Sequence, residues 1–454
     1  MSDPESIQAP DSSEAGRAGK AEFRLNVLAA GSAEAANMLL RFLAGVVVAR
    51  QLGAEGRGVY ALALAAPALM LGLTNIGLGE ATTVLIGKKK YSAERVVGSM
   101  NFLMLLMLLL GFAVYFGLSP LILKALHHEM PEDIYLLAFC IFPLTLYWGG
   151  NAAVALGLSM VRRVSWGRLL NNSVFCALVF ALLARGLTVK AVLIAFIFSF
   201  VAENAYLLYS IRKETGITIR LDPEVIKDQI SLGWHVFWGG MFLQVARRLD
   251  IFLVNFFAGA GPLGLYAVAY SVAELVLAVP GIYSRAALSS AAVAGKGSGF
   301  RVSNAAIRQS LFLMAALAVG VALVMRPFIL KAYTSEFLPA VLPALILLPG
   351  VVLMGLSNLL GTIFTGYARP QELARSAAIA CAATIALDFL LIPRYGIVGA
   401  AAASTAAYGA GAVWIFFSYL KYSGAGPREV LLAGKEDLND YRETLRGLFV
   451  RKGK

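Results

Sequence analysis

The chain has 454 residues, of which 59% are hydrophobic and only 15% are charged. Soluble domains contain about 25% charged residues, so this composition, with a mean hydropathy of +0.73, indicates an integral membrane protein and excludes an ordinary soluble domain. The net charge of +12 would suit nucleic-acid binding, but the basic residues are distributed among many loops, which argues against a nucleic-acid partner.

Residues 1–22 are polar and lack the pattern of a secretory signal, which predicts a disordered cytosolic tail. Twelve apolar segments follow, most of them long enough to cross a bilayer as a helix, which takes about 20 residues. The first six cover approximately 23–49, 59–85, 96–118, 134–157, 169–184 and 191–211, and the second six 232–257, 263–283, 310–330, 342–365, 373–392 and 398–420. The fifth is short, so eleven or fourteen helices stay open as alternatives. The fold class is predicted to be an all-α polytopic membrane protein.

The Lys and Arg residues of the loops are divided unevenly between the two sides of the membrane. If the N-terminus is cytosolic, twenty-eight of them lie on the cytosolic side and eight on the other side. This is the positive-inside bias, and it predicts that both termini are cytosolic. The C-terminal tail, 422–454, has Leu438, Tyr441, Leu445 and Leu448 at helical spacing, which predicts a short amphipathic helix.

The two halves of the chain repeat each other, without gaps, at an offset of 206 residues. The offset pairs Arg41 with Arg247, Gly53 with Gly259, Gly58 with Gly264, Tyr60 with Tyr266 and Pro143 with Pro349. Chance explains matching alanines in such a chain, but it explains Arg, Tyr and Pro pairs poorly. Because the offset spans an even number of segments, we predict two parallel six-helix lobes, 23–211 and 232–421, joined by a cytosolic linker over 212–231. Transporters with such repeats bind substrate between the halves.

Charged and polar residues inside the segments mark the candidate site, because a charge near the centre of a membrane helix costs about 2.5–3.5 kcal/mol. Segment one contains Glu34, Asn37 and Arg41, and segment seven contains Gln244, Arg247, Arg248 and Asp250. Arginine offers a planar fork of donors that matches phosphate oxygens. The three arginines are therefore predicted to bind a pyrophosphate or another polyanion in a central cavity, with the other four residues as cavity or coupling candidates.

The alternative is an internal network of ion pairs, Arg41 with Glu34 and Arg247 with Asp250, that only ties helices together. Four further carboxylates, Glu80, Glu203, Glu274 and Asp388, also lie within segments and could bind coupling protons or cations. The sequence contains no nucleotide-binding P-loop and no HExxH or nucleophile-elbow motif, and its three cysteines lie in apolar segments without metal-ligand spacing. We therefore predict no catalytic residues, no metal and no cofactor.

Three stretches resemble a known family, namely ARQLGAEGRGVYALALAAPAL from Ala49, RRLDIFLVNFFAGAGPLGLYAVAYSVAEL from Arg247 and LIPRYGIVGAAAAS from Leu391. They are similar to the polysaccharide transporters, which are oligosaccharide flippases of the multidrug/oligosaccharidyl-lipid/polysaccharide (MOP) exporter superfamily. The resemblance extends from about Phe23 to Tyr422, which is nearly the whole chain.

The resemblance implies a V-shaped bundle that moves undecaprenyl-pyrophosphate-linked oligosaccharides across the bacterial inner membrane by alternating access, for surface polysaccharide assembly. Helices one and seven would then line the central cavity. Membrane lipids would surround the protein. The resemblance leaves open whether transport is coupled to H⁺ or Na⁺ and whether the protein associates with the polysaccharide polymerase machinery.

Two other functions stay open at this point. The first is a cation-coupled exporter of drugs or metabolites from the same superfamily, although paired arginines favour an anionic substrate. The second is a membrane glycan polymerase or ligase, although such enzymes generally place catalytic groups on a large outer loop, and the outer loops here are short.

Overall fold

The computed structural model of the protein describes residues 12–126, 131–216, 218–281, 283–284, 296–367 and 369–431. Side chains are described from residue 36 onward, apart from those of 118–126, 235, 296–299 and 301. The helices are α1 (Ser12–Thr74), α2 (Leu78–Gly87), α3 (Ala93–Leu126), α4 (Glu132–Gly157), α5 (Val161–Leu182), α6 (Val189–Thr215), α7 (Pro223–Ala258), α8 (Ala260–Ala273), α9 (Lys296–Ala332), α10 (Val341–Gly366), α11 (Gln371–Ser423) and α12 (Pro427–Leu431). Short 3₁₀ helices cover Leu183–Arg185, Glu274–Leu277 and Ser335–Ala340.

Nine helices in the described part of the chain are long and apolar enough to cross a membrane. Two of them, Ala36–Thr74 with 39 residues and Gln371–Ser423 with 53, are too long for one crossing of about 20 residues. Each contains a glycine with positive φ, Gly53 and Gly396, at which two helices join directly. Each of these two long helices therefore covers two predicted segments. Together with α7, which covers the predicted segment 232–257, the described helices account for all twelve predicted segments. The predicted polytopic all-α class is confirmed.

The internal repeat is visible in the backbone at its paired glycines. Gly53 has φ 68° and ψ −177°, and Gly259, its equivalent at the offset of 206, has φ 92° and ψ 176°. Glycine adopts this region readily because it has no β-carbon. The two halves therefore break their helices at equivalent residues and in the same conformation.

The halves meet through equivalent residues of α1 and α8. A β-carbon on Gly58 would lie 1.8 Å from the carbonyl oxygen of Ala260, and one on Gly264 would lie 1.7 Å from that of Ala54. The contact is reciprocal, as a two-fold relation between the halves requires, and its closeness demands glycine on both sides. We call these four residues the outer contact, because the positive-inside prediction places them near the non-cytosolic face.

Glu336 extends the outer contact from the 3₁₀ helix between α9 and α10. Its Oε1 accepts a hydrogen bond of 2.9 Å from the backbone N–H of Ala54, the first residue after the break at Gly53. A carboxylate is favourable at the start of a helix, where backbone N–H groups lack partners. A residue of the C-terminal half thus caps a helix of the N-terminal half.

Near the opposite face, the first turns of α7 bind the loop and helix start around α3. Arg95 Nε donates to Asp222 at 2.7 Å, while Tyr91 donates to Asp228 at 2.9 Å and Lys90 pairs with the same carboxylate. The hydrogen bond from Arg95 holds the pKa of Asp222 below its usual value of 3.8. The hydrogen bond from Lys90, and to a smaller extent the one from Tyr91, lowers the pKa of Asp228 in the same way. We call these five residues the inner clasp.

The structure differs from the predicted tail and linker. The tail predicted to be disordered over 1–22 is helical from Ser12, because its Ala, Glu, Lys and Arg residues favour helix. The predicted linker 212–231 is shorter, since α6 continues to Thr215 and α7 begins at Pro223 after an Asp222 cap. The amphipathic helix predicted around Leu438 lies outside the described residues.

The second predicted segment, 59–85, is interrupted in the structure. Gly77 adopts a left-handed conformation with φ 65° between α1 and α2. A β-carbon there would lie 2.3 Å from the carbonyl oxygen of Gly233 in α7. The interruption thus permits a second close approach of glycine backbones, which hydropathy alone does not predict.

Candidate functional site

Arg247 of α7 forms an ion pair within a predicted span. Its Nη2 lies 2.9 Å from Oε1 of Glu274, and the two side chains are 25% and 38% exposed. Both side chains are therefore only partly buried. The alternative ion pair predicted between Arg247 and Asp250 is wrong, because the carboxylate of Asp250 bonds to other groups.

Asp250 is 1% exposed and lies in the interior of the C-terminal half. Its Oδ2 accepts a hydrogen bond of 2.6 Å from the Tyr266 hydroxyl of α8, and the Ser404 hydroxyl of α11 lies 3.4 Å from the same oxygen. Its Oδ1 accepts from the backbone N–H of Ile251 at 2.8 Å. Packing of α7 against α8 and α11 thus supplies hydrogen-bond donors to the carboxylate, and Arg248 lies near enough to attract its charge.

Asp388 of α11 lies close enough to Asp250 for the two carboxyl groups to repel each other. It is fully buried, and neither of its oxygens has a hydrogen-bond partner among the described residues. The hydroxyl of Thr384, one helical turn earlier, is likewise buried without a partner in that part of the chain. We call Asp250, Tyr266, Asp388 and Ser404 the C-half cluster. An unpaired ionised carboxylate is costly there.

In the N-terminal half, α1 exposes Arg41 and buries Asn37. The Oδ1 of Asn37 accepts a hydrogen bond of 3.0 Å from Asn172 of α5, so this amide ties two helices together. The side chain of Glu34 lies outside the described residues. The pair predicted between Arg41 and Glu34 therefore stays a prediction.

A second group of polar residues lies in the interior of the N-terminal half, around Glu203. Glu203 of α6 is 2% exposed, and its Oε1 accepts a hydrogen bond of 2.6 Å from the Trp148 indole of α4. The Arg168 guanidinium lies 5.6 Å from the centre of the same indole ring. The carboxylate is thus held between an indole donor and nearby positive charge, which also includes Arg41.

Two other residues of the candidate site, Gln244 and Arg248, also belong to α7. Gln244 lies where α7 contacts the N-terminal half, and Arg248 lies one turn further along the helix. Gln244 donates to the carbonyl oxygen of Ala68 at 3.1 Å, and a β-carbon on Gly72 would lie 2.9 Å from its Cβ. The Nε of Arg248 is buried without a hydrogen-bond partner among the described residues. The structure therefore brings α1 and α7 together at Gln244.

The sequence did not predict the partners that the structure gives to several residues here. Glu274 carried a signal, since it is a carboxylate within an apolar segment, but nothing in the sequence connected it with Arg247. Tyr266 and Ser404 carried no such signal, because tyrosine and serine are common in membrane helices. Their importance depends on which helices pack together.

The sequence matches the model of a known protein family. The family model described as polysaccharide biosynthesis protein matches residues 23–291, which is more than half of the chain. A search of curated protein sequences with this chain found no match.

Solved transporter structures share the fold. The inward-facing conformation of a multidrug resistance MATE family transporter of the MOP superfamily is 15% identical over 86% of this chain and 96% of its own, with a TM-score of 0.71. The lipid II flippase MurJ in an inward closed conformation is 18% identical over 86% and 87%, with a TM-score of 0.69. A MOP superfamily transporter from Pyrococcus furiosus is 15% identical over 88% and 95%, with a TM-score of 0.58. The predicted fold, a V-shaped MOP-like bundle of two parallel lobes, is confirmed.

Proposed function

Because the chain belongs to the polysaccharide biosynthesis protein family, we propose that it is a flippase that carries lipid-linked oligosaccharides across a membrane. The proposed substrate is an undecaprenyl-pyrophosphate-linked oligosaccharide, moved from the cytosolic to the outer leaflet of the bacterial inner membrane. Both termini are then cytosolic, and the product feeds surface polysaccharide assembly. The fold shared with a lipid II flippase supports a lipid-linked cargo.

The observation that carries the proposal is the partly exposed Arg247 within an apolar helix, together with its repeat equivalent Arg41, which is exposed on α1. Placing an arginine inside a membrane span costs free energy, so such residues usually have a function. The forked N–H donors of arginine match the oxygens of a pyrophosphate. Arg248, with a buried and unpaired Nε in the described structure, adds a third guanidinium on the same helix. These residues bind the head group in this proposal.

The C-half cluster is the proposed place for ion coupling. Asp388 lacks a hydrogen-bond partner among the described residues and faces repulsion from Asp250, so a bound proton or Na⁺ would remove an uncompensated charge. The hydroxyl groups of Tyr266 and Ser404 supply further oxygen atoms beside Asp250. Association with a polysaccharide polymerase stays a prediction.

Genetic complementation tests the function. In a strain that lacks this protein and any redundant flippase, we expect lipid-linked oligosaccharide to remain on the inner leaflet and surface glycan to disappear. The wild-type gene should restore export, and an Arg41→Ala, Arg247→Ala double variant of equal membrane abundance should not. Full export by that double variant would contradict the site, and normal export in the deletion strain would contradict the function. Continued export of glycan of the wrong length would instead favour a polymerase or ligase.

The C-half cluster also suits a second function, a cation-coupled exporter of drugs or metabolites. The fold is shared with a multidrug resistance transporter, and a buried carboxylate pair can exchange a cation for a cargo. This function predicts that the deletion strain becomes sensitive to cationic drugs while its surface glycan stays intact. The flippase proposal predicts the reverse pattern.

A further inference from the structure

Glu274 gives the two repeat-equivalent arginines different surroundings. In the C-terminal half, Glu274 of the 3₁₀ turn after α8 pairs with Arg247 at 2.9 Å. The offset of 206 places Ala68 at the equivalent position in the N-terminal half. Arg41 therefore lacks the corresponding carboxylate. The repeat thus has an arginine in both halves and a carboxylate at this position in only one of them.

The backbone around Glu274 departs from regular α-helix. The α-helical part of α8 ends at Ala273, and Glu274–Leu277 forms a 3₁₀ turn in the middle of the apolar span Ala260–Gly281. A 3₁₀ stretch inside a helix often marks a hinge, because its hydrogen bonds are less well aligned. The ion pair with Arg247 thus lies at the 3₁₀ turn within this span.

The same helix closes the outer contact. Gly264, ten residues before Glu274 in α8, approaches the Ala54 carbonyl so closely that a β-carbon would lie 1.7 Å from it. A bend at Glu274 moves the outer part of α8 relative to α7, which holds Arg247. Glu274 therefore contacts Arg247 and belongs to the same span as Gly264 of the outer contact.

Pyrophosphate and a carboxylate compete for a guanidinium, because both accept hydrogen bonds from its forked N–H groups. Pyrophosphate bears more negative charge than one carboxylate, so it repels Glu274 as it approaches Arg247. The partial exposure of both side chains, 25% and 38%, allows this exchange to occur without unfolding the helix.

We propose that Glu274 is a resident competitor for Arg247, that the pyrophosphate of the substrate displaces it, and that its release at the 3₁₀ turn loosens the outer contact. Return of Glu274 to Arg247 then helps to expel the head group. Glu274 is a positioning residue in this scheme. The inference rests on the proposed role of Arg247, and the experiments below separate the two.

The first experiment measures binding of inorganic pyrophosphate to the purified full-length protein in lipid nanodiscs. Glu274→Gln removes the competing charge, so the dissociation constant should fall about tenfold, the equivalent of about 1.4 kcal/mol. Glu94→Gln, an exposed carboxylate in the first turn of α3, is the matched control and should bind as wild type. Equal or weaker binding by Glu274→Gln would show that Glu274 only supports Arg247, and would overturn the inference.

The second experiment measures the outer contact directly. Spin labels on Glu55→Cys and Gly261→Cys occupy repeat-equivalent positions after the two helix breaks, in a background without native cysteines. Pyrophosphate should lengthen the label distance in wild type, and Glu274→Gln should show the longer distance without pyrophosphate. An unchanged distance in Glu274→Gln would overturn the inference. Arg247→Ala separates the proposals, because normal pyrophosphate binding by that variant would contradict the head-group site itself.

Discussion

At the scale of single residues, the membrane interior makes each buried charge informative. Asp250 is satisfied by Tyr266 at 2.6 Å and by the Ile251 N–H at 2.8 Å, so it does not require a cation of its own. Asp388 is fully buried and has no such donors among the described residues. Of the two carboxylates, Asp388 is therefore the one without compensating donors, and it is the proposed site of ion coupling.

We expect Asp388→Asn to uncouple transport from the ion gradient while leaving the fold intact, because the amide keeps the shape of the carboxyl group without its charge. Coupling free energies correspond to about 5–150-fold effects, so gradient-driven transport should fall at least about fivefold. Transport in proteoliposomes with and without an imposed H⁺ or Na⁺ gradient measures this, and it identifies the ion.

The matched control is Asp133→Asn, which changes an exposed carboxylate that pairs with Lys190 at 3.1 Å. This variant should keep the full gradient dependence. An Asp388→Asn protein that responds to the gradient like wild type would place the coupling ion elsewhere.

At the scale of helices, glycine decides how closely α1 and α8 approach. The outer contact has almost no space between backbones, as the distances of 1.8 Å and 1.7 Å to imagined β-carbons show. Such a contact is easily broken by one methyl group, because the neighbouring atoms belong to the backbone and cannot rotate away. The contact is therefore a sensitive point for shifting the two halves relative to each other.

Gly58→Ala should separate α1 from α8 at the outer face, at a cost of about 1–3 kcal/mol for the overpacked site. The distance between labels at positions 55 and 261 should increase, and Gly264→Ala should have the same effect because the contact is reciprocal. Gly45→Ala is the control in α1, since a β-carbon there meets nothing within 4 Å. An unchanged distance in both outer-contact variants would mean that the helices adjust elsewhere.

At the scale of the whole molecule, the halves are bridged near both predicted faces. Glu336 and the glycines form the outer contact, while Arg95 and Asp222 belong to the inner clasp. A transporter that alternates its access must release one set while it keeps the other. The assignment of these faces to the two sides of the membrane depends on the predicted topology.

Reporter fusions test that topology. Alkaline phosphatase should be inactive after Gly87 and at the C-terminus, because the basic loops keep these positions in the cytosol, and it should be active after Ala125. A cytosolic reporter should give the opposite pattern at each site. Phosphatase activity after Gly87 or at the C-terminus would overturn the predicted orientation.

The sequence by itself determined the membrane class, the helical segments and the repeat. Long apolar runs are compatible with a bilayer only as helices whose backbone groups bond internally, and this requirement is local. The equivalence of Gly53 and Gly259 was likewise predictable, since it is a pattern along the chain. The direct joining of helices at Gly53 and the interruption at Gly77 were not, because hydropathy does not record backbone conformation.

Only the tertiary structure decided which carboxylate pairs with Arg247. Asp250 is one turn away in the sequence, yet it bonds to Tyr266 and Ser404 in the interior of the bundle. Glu274 is on another helix and takes the guanidinium instead. A buried carboxylate is satisfied by the donors that neighbouring helices bring to it. The packing of α7 against α8 and α11 therefore determines these partners, and no spacing along one helix can specify them.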